Sequence, residues 1–173
     1  MLNKSLLIAL LLLISNCGSE KQSKLNCEHK FADDSIELCL PSEDWRTEKF
    51  GKYILFSNAA SDTIGINRSV MSITTRDDNM NITAETYRNQ YLDSLTKSPG
   101  LGLNLLSKGS ITIGDKRFYD FEMRTTKGQV YDYLMFYKKN SKHYVLRGII
   151  PHKIRDGVDK IDFQEFFKSL HIK

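Results

Sequence analysis

The most constraining feature of this sequence is an antiparallel meander in its second half. Turn-forming dipeptides at Gly114-Asp115, Lys127-Gly128 and Asn140-Ser141 separate runs of apolar and aromatic residues. These dipeptides predict four strands over residues 105–113, 117–125, 130–138 and 143–150. Because two-residue turns fix the register, the side chains that share each face of the sheet can be counted.

Both faces of this predicted meander are rich in apolar side chains. One face carries Tyr119, Phe121, Met123, Leu134, Phe136, Val145 and Ile149. The other face carries Phe118, Asp120, Glu122, Arg124, Tyr131, Tyr133, Met135, Tyr137, Tyr144, Leu146 and Ile150. A sheet that is apolar on both sides must be covered on both sides.

Two amphipathic helices are available as that cover. Thr83 is a typical N-cap for a helix with apolar positions at Ala84, Tyr87, Tyr91, Leu92 and Leu95, which Ser98-Pro99-Gly100 ends. A C-terminal helix starts near Asp159 or Asp162 and places Phe163, Phe166, Phe167 and Leu170 on one side. Further strands are predicted over residues 36–40, 53–57 and 70–75. The sequence therefore predicts an α+β fold, an antiparallel meander covered by helices on both faces as an αβα sandwich.

The amino terminus has the features of an export signal. Lys4 precedes an apolar run over residues 6–14, which is shorter than the about 20 residues that a spanning helix needs. Residues 13–17, Leu-Ile-Ser-Asn-Cys, resemble the bacterial lipobox, although Asn16 departs from the usual Gly or Ala. The resemblance implies a lipoprotein signal peptide over residues 1–16 and fatty acylation of Cys17. An uncut signal anchor, or ordinary signal-peptidase cleavage that frees a soluble protein, are the alternatives.

Lipidation at Cys17 predicts a protein held on a membrane of the bacterial cell envelope. Residues 17–26 are small and polar and indicate a flexible tether, and residues 27–173 are long enough for one domain. Gly18 is not the Asp that retains many lipoproteins in the inner membrane, which favours the outer membrane over the inner. The net charge of +4 without a dense Lys/Arg stripe argues against nucleic acid as a partner. The expected partners are the lipid bilayer and another envelope protein.

Cys27 and Cys39 form an even pair in an exported chain, which predicts a disulfide. A three-residue loop at residues 32–34 would pair Phe31 with Ser35, and counting outward places Cys27 opposite Cys39. Metal binding with His29 is the rival interpretation, but two Cys and one His make an incomplete zinc set.

The order of elements also resembles the PsbP/Mog-type fold, which DcrB-like bacterial lipoproteins share. The residues that carry the resemblance are Leu-Pro-Ser-Glu-Asp-Trp at 40–45, Tyr-Ile-Leu-Phe at 53–56, and the strand, helix, meander and helix that follow. The resemblance spans residues 31–173, and its most specific motif is the Leu-Pro-x-x-Asp-Trp corner. The resemblance implies a non-catalytic binding or assembly module, with no catalytic residues to carry over.

The sequence contains no hydrolase motif, phosphate-binding glycine loop or paired zinc histidines, so no catalytic residue, metal or cofactor is predicted. The candidate interaction surface is the set Asp120, Glu122, Arg124, Tyr131 and Tyr133, because Tyr and Arg are common at interface hot spots. The other interpretation, which we favour, is that this face is buried beneath a helix with the tyrosine hydroxyls reaching the rim. The expected function is a non-catalytic protein-binding module. A small-ligand carrier with a cavity between helix and sheet, or an enzyme using Asp120 and Glu122, are the alternatives.

Overall fold

The computed structural model describes residues 27–58, 70–98, 102–125, 130–151 and 160–173. Most of these residues lie in strands. The strands are β1 (His29–Ala32), β2 (Ile36–Leu40), β3 (Trp45–Phe50), β4 (Tyr53–Asn58), β5 (Val70–Asp77), β6 (Leu103–Ile113), β7 (Lys116–Thr125), β8 (Val130–Lys139), β9 (Lys142–Pro151) and β10 (His171–Ile172). The helices are α1 (Ala84–Thr96) and α2 (Lys160–Lys168).

A seven-stranded antiparallel sheet in the order β3-β4-β5-β9-β8-β7-β6 forms the centre of the fold. The predicted turns at Gly114-Asp115 and Asn140-Ser141 are confirmed, since Ile113 pairs with Lys116 and Lys139 with Lys142. Gly114 has a φ of 62° and Asn140 a φ of 55°, the left-handed conformation that such turns require. Lys127-Gly128 lies outside the described residues.

The predicted division of side chains between the two faces is confirmed. Phe118, Tyr133, Met135, Tyr144 and Leu146 belong to one apolar cluster, and Phe121, Met123, Leu134, Phe136 and Val145 to the other. Tyr131 to Phe136 on β8 are all buried, as are His143 to Leu146 on β9. Consecutive burial along a strand requires cover on both sides, so these two strands form the middle of a two-sided core.

Helix α1 covers β7 and β8 on one face. It begins where the sequence predicts, because the Thr83 side chain accepts a hydrogen bond from the backbone N–H of Thr86. Its apolar side chains Leu92, Tyr87, Tyr91 and Leu95 pack on the cluster around Phe136.

The predicted αβα sandwich is wrong, because the opposite face is not covered by a helix alone. Helix α2 has nine residues, about 14 Å, whereas seven strands at about 4.8 Å spacing make a sheet about 29 Å wide. A second antiparallel sheet, β1-β2-β10, supplies the rest of the cover through Ile36, Leu38 and Ile172. The protein is therefore mostly β, with two antiparallel sheets.

The predicted register of the first hairpin is also wrong, although its disulfide forms. Phe31 pairs with Leu38 rather than Ser35, and Cys39 faces Lys30. The Asp33 carboxylate accepts hydrogen bonds from the N–H groups of Ser35 and Ile36, which lengthens the loop and shifts the register. Cys27 lies before β1 and still reaches Cys39, with 5.4 Å between the Cα atoms.

The predicted signal peptide, Cys17 and the tether lie outside the described residues. Asp159, Pro99 and Gly100, which the sequence places at helix ends, lie outside them as well. No helix in the described part of the chain is long and apolar enough to cross a bilayer.

Gly148 on β9 gives a direct test of the packing between α2 and the sheet. A Cβ at this position would lie 2.2 Å from Cδ2 of Phe163, a ring that is fully buried. We expect Gly148→Ala to lower the free energy of unfolding by about 1–3 kcal/mol, since the ring cannot move without disturbing the core. Urea denaturation measures the change.

Gly109→Ala is the matched control in β6, where a Cβ would meet Oδ1 of Asp120 at 3.4 Å, an ordinary contact. A Gly148→Ala variant as stable as Gly109→Ala would contradict the packing of Phe163.

Candidate functional site

The large sheet has two ends that differ in character. At one end lie Trp45, Asn58, Val70, Thr125 and Leu103, at successive positions across the strand ladders. We call this the anchor end. At the other, the turn end, short turns join β3 to β4, β6 to β7 and β8 to β9.

The disulfide lies at the anchor end. Cys39 is near the end of β2, six residues before Trp45, whose N–H donates a hydrogen bond to the carbonyl of Ser42. Ser169, after α2, accepts a hydrogen bond from the N–H of Cys39 at 2.9 Å. The bond between Cys27 and Cys39 therefore fastens the first described residue of the chain to this end of the fold. Closing a loop of this length stabilises the folded state by about 3 kcal/mol in the chain-entropy model.

The five residues of the candidate interaction surface do not share one exposed surface. Asp120, Tyr131 and Tyr133 are buried, with exposed fractions of 4%, 5% and 2%. Glu122 is half-buried and Arg124 is exposed. Of the five, Arg124 alone is well placed to meet a large partner without rearrangement of the fold.

Asp120 and Tyr133 form a buried polar link instead. The Tyr133 hydroxyl donates a hydrogen bond to Oδ2 of Asp120 at 2.8 Å and accepts one from Nε2 of Gln164 on α2 at 3.2 Å. Burial raises the pKa of Tyr133, and the hydrogen bond to Asp120 raises it further. The phenol is therefore protonated at neutral pH and connects β7, β8 and α2.

Arg88 is a second buried polar group, which was not predicted from the sequence. Its guanidinium donates from Nη1 to the carbonyls of Gly109 and Asp120, both at 3.0 Å, and ties α1 to β6 and β7. The signal was present in the helical spacing: Arg88 lies four residues after Ala84 and four before Leu92, on the buried side of α1.

A third polar cluster, also missed, lies at the turn end. Asp78 forms an ion pair with Lys138, and its Oδ1 lies 3.3 Å from Nε2 of His143. The hydrogen bond from Lys138 lowers the pKa of Asp78 to about 2, against the opposing effect of burial. The ring of His143 stacks on Tyr87, with 4.5 Å between the centroids. The basic segment at residues 138–142 thus contributes Lys138 to a largely buried ion pair.

None of these clusters has the composition of a metal site. Within the ranges that the structure describes, no three His, Cys, Asp or Glu side chains are placed to hold a metal ion.

Comparison with known proteins gives structural but not sequence relatives. No family model and no curated protein matches the chain. Cyanobacterial PsbP (CyanoP) from Synechocystis superposes with a TM-score of 0.63 at 14% identity, over 91% of this chain and 99% of that protein. The chain has a PsbP-like fold.

Two further solved structures have the same fold. LpqN, described as involved in cell envelope biogenesis of Mycobacterium tuberculosis, has a TM-score of 0.59 at 13% identity, over 82% of this chain and 87% of that protein. A Bacteroides thetaiotaomicron protein has a TM-score of 0.56 at 16% identity, over 84% of this chain. This chain spans only 48% of the Bacteroides protein.

The ion pair of Asp78 predicts a specific dependence of stability on pH. The folded-state pKa of about 2 lies below the unfolded value of about 3.9, so the pair stabilises the fold fully above the unfolded pKa. This contribution is lost as the pH falls through about 4 towards about 2. We expect Asp78→Asn to be less stable than the native chain at pH 7, with a difference that narrows over this window.

Denaturation midpoints in urea at several pH values between 7 and 2 measure the effect. Asp115→Asn is the control, because Asp115 is 85% exposed and paired with its neighbour Lys116. A stability difference for Asp78→Asn that stays constant across the pH range would contradict the assignment.

Proposed function

We propose that this protein is a non-catalytic accessory protein of the bacterial cell envelope, anchored by acylated Cys17, that binds another envelope protein. The observation that carries the proposal is the position of Cys27. It follows Cys17 by ten residues and is fixed by its disulfide to the anchor end of the fold.

This position restricts the domain to a layer next to the membrane. Ten residues reach about 35 Å at full extension. A diacylglycerol and an N-terminal acyl chain on Cys17 anchor a protein stably, since two or more chains suffice. The anchor end then faces the lipid. Gly18 favours the outer membrane as that location.

The buried polar groups support a non-catalytic role. Arg88, the link between Asp120 and Tyr133, and the pair of Asp78 and Lys138 each join neighbouring elements of the fold. Such groups stabilise the arrangement of the elements. The envelope role of LpqN and the PsbP identity of CyanoP, as their descriptions give them, favour the same accessory class at the level of fold.

The turn end is the side that would meet a protein partner, because it points away from the anchor. Two large apolar side chains are exposed there, Phe50 at 61% and Met80 at 66%. Exposed aromatic and Met side chains are enriched at protein interfaces.

Intact mass of the full chain purified from bacterial membranes tests the anchor. We expect a mass that corresponds to residues 17–173 with fatty acyl chains and one disulfide. The Cys17→Ser protein should be absent from the membrane fraction, or should retain residues 1–16 because the signal peptide is not cleaved. An unacylated native chain recovered from the cytosol would contradict the proposal.

The same membrane preparation tests the partner. Proteins that co-purify in mild detergent with the native chain should be lost with Phe50→Ala/Met80→Ala. Ser110→Ala, an exposed change on the far edge strand β6, is the control. If the double variant retains every partner, binding at the turn end is contradicted.

A further inference from the structure

Two exposed leucines lie at the beginning of β6. Leu105 is 46% and Leu106 is 42% exposed, on the edge strand of the large sheet. Leu103, where β6 begins, pairs with Thr125 at the anchor end. The two leucines are therefore on the side of the fold to which the chain is fastened by Cys27.

Exposed cations lie close to the leucines along the strand ladder and the chain, on both faces of the sheet. Arg124 belongs to the neighbouring strand and pairs with Asn104, and Lys108 follows on β6 itself. Lys97 comes directly after α1, whose Leu95 packs in the same cluster as Leu103. The carboxylate nearest in register is Glu122, which is half-buried opposite Ser107. Exposed apolar side chains with exposed cations at neighbouring positions complement an anionic membrane surface.

The strand geometry at the leucines does not suit pairing with another protein strand. The register between β6 and β7 shifts between Leu105 and Ser107, so Leu106 lies in a β-bulge. A bulge interrupts the regular row of N–H and C=O groups to which another strand would bond. A charged side chain on an edge strand, here Lys108, also disfavours pairing with another strand. A bilayer interface requires no hydrogen-bond register.

We infer that the start of β6 is a second membrane contact, in which Leu105 and Leu106 enter the interface and Arg124, Lys108 and Lys97 bind anionic phospholipid headgroups. This inference rests on the proposed lipid anchor. The disulfide lies near the β3 side of the anchor end, and β6 is about 29 Å away across the sheet. Contact at both sides holds the turn end away from the bilayer.

Quenching by brominated lipid tests the contact in the acylated full chain. Leu106→Trp protein is reconstituted in liposomes of phosphatidylethanolamine and phosphatidylglycerol, with and without dibrominated acyl chains. The signal of the native chain, which comes from Trp45, is subtracted. We expect a blue shift and loss of most of the added fluorescence.

Thr112→Trp, at the turn end of the same strand, is the matched control and should keep its fluorescence. Arg124→Glu/Lys108→Glu, combined with Leu106→Trp, should reduce the quenching, and uncharged phosphatidylcholine should reduce it as well. Equal quenching of Leu106→Trp and Thr112→Trp in acylated protein would overturn the contact while leaving the anchor intact. Failure of the native chain to carry acyl chains, seen by intact mass, would instead overturn the anchor.

Discussion

The burial of β8 and β9 on both faces is the constraint on which the rest of the structure depends. Six consecutive residues of β8, from Tyr131 to Phe136, are shielded from solvent. Neither helix is large enough to provide this shielding alone. Helix α1 covers one side, and α2 together with the sheet β1-β2-β10 covers the other. The Cys27–Cys39 bond stabilises that small sheet at its first strand, where its hydrogen-bonded ladder is short.

This two-sided core determines where the protein can meet other molecules. Because helices and the second sheet cover the middle of the large sheet on both faces, a partner molecule can contact this sheet only at its ends and its edge strands. The turn end presents Phe50 and Met80, and the anchor end presents Leu105 and Leu106, with exposed cations at neighbouring positions of the ladder. The buried polar groups, Arg88 and Asp120 among them, hold the layers together. The function proposed for this protein follows from that division between a structural interior and two distinct ends.

The sequence predicts those parts of the fold that local rules determine. The turn at Gly114-Asp115, the Thr83 cap and the assignment of side chains to faces depend on short-range spacing, and all three are confirmed. The αβα sandwich is wrong because the second sheet is completed by β10, whose two residues carry no strand signal; β3, which reads Trp-Arg-Thr-Glu-Lys-Phe, was missed in the large sheet for the same reason. Long-range contacts bring them into the sheets.

The candidate site was harder to predict, for the same reason. Alternation along β7 and β8 places Asp120 and Tyr133 on one face, but it does not show that Gln164 and Phe163 of α2 lie over them. The ion pair of Asp78 and Lys138 joins residues sixty positions apart in the sequence, so no local sequence pattern predicts it. Cys27 and Cys39 were predicted because cysteines in an exported chain pair irrespective of the exact hairpin register.

Hydrogen–deuterium exchange of the native protein, resolved by strand, tests the two-sided core most directly. Amides of residues 131–136 and 143–146 should exchange slowest of all, at a rate set by global unfolding, while those of the edge strands β3 and β6 exchange faster by local opening. If the amides of β8 exchange as fast as those of β6, the strand is not enclosed on both faces, and the account of this fold is contradicted.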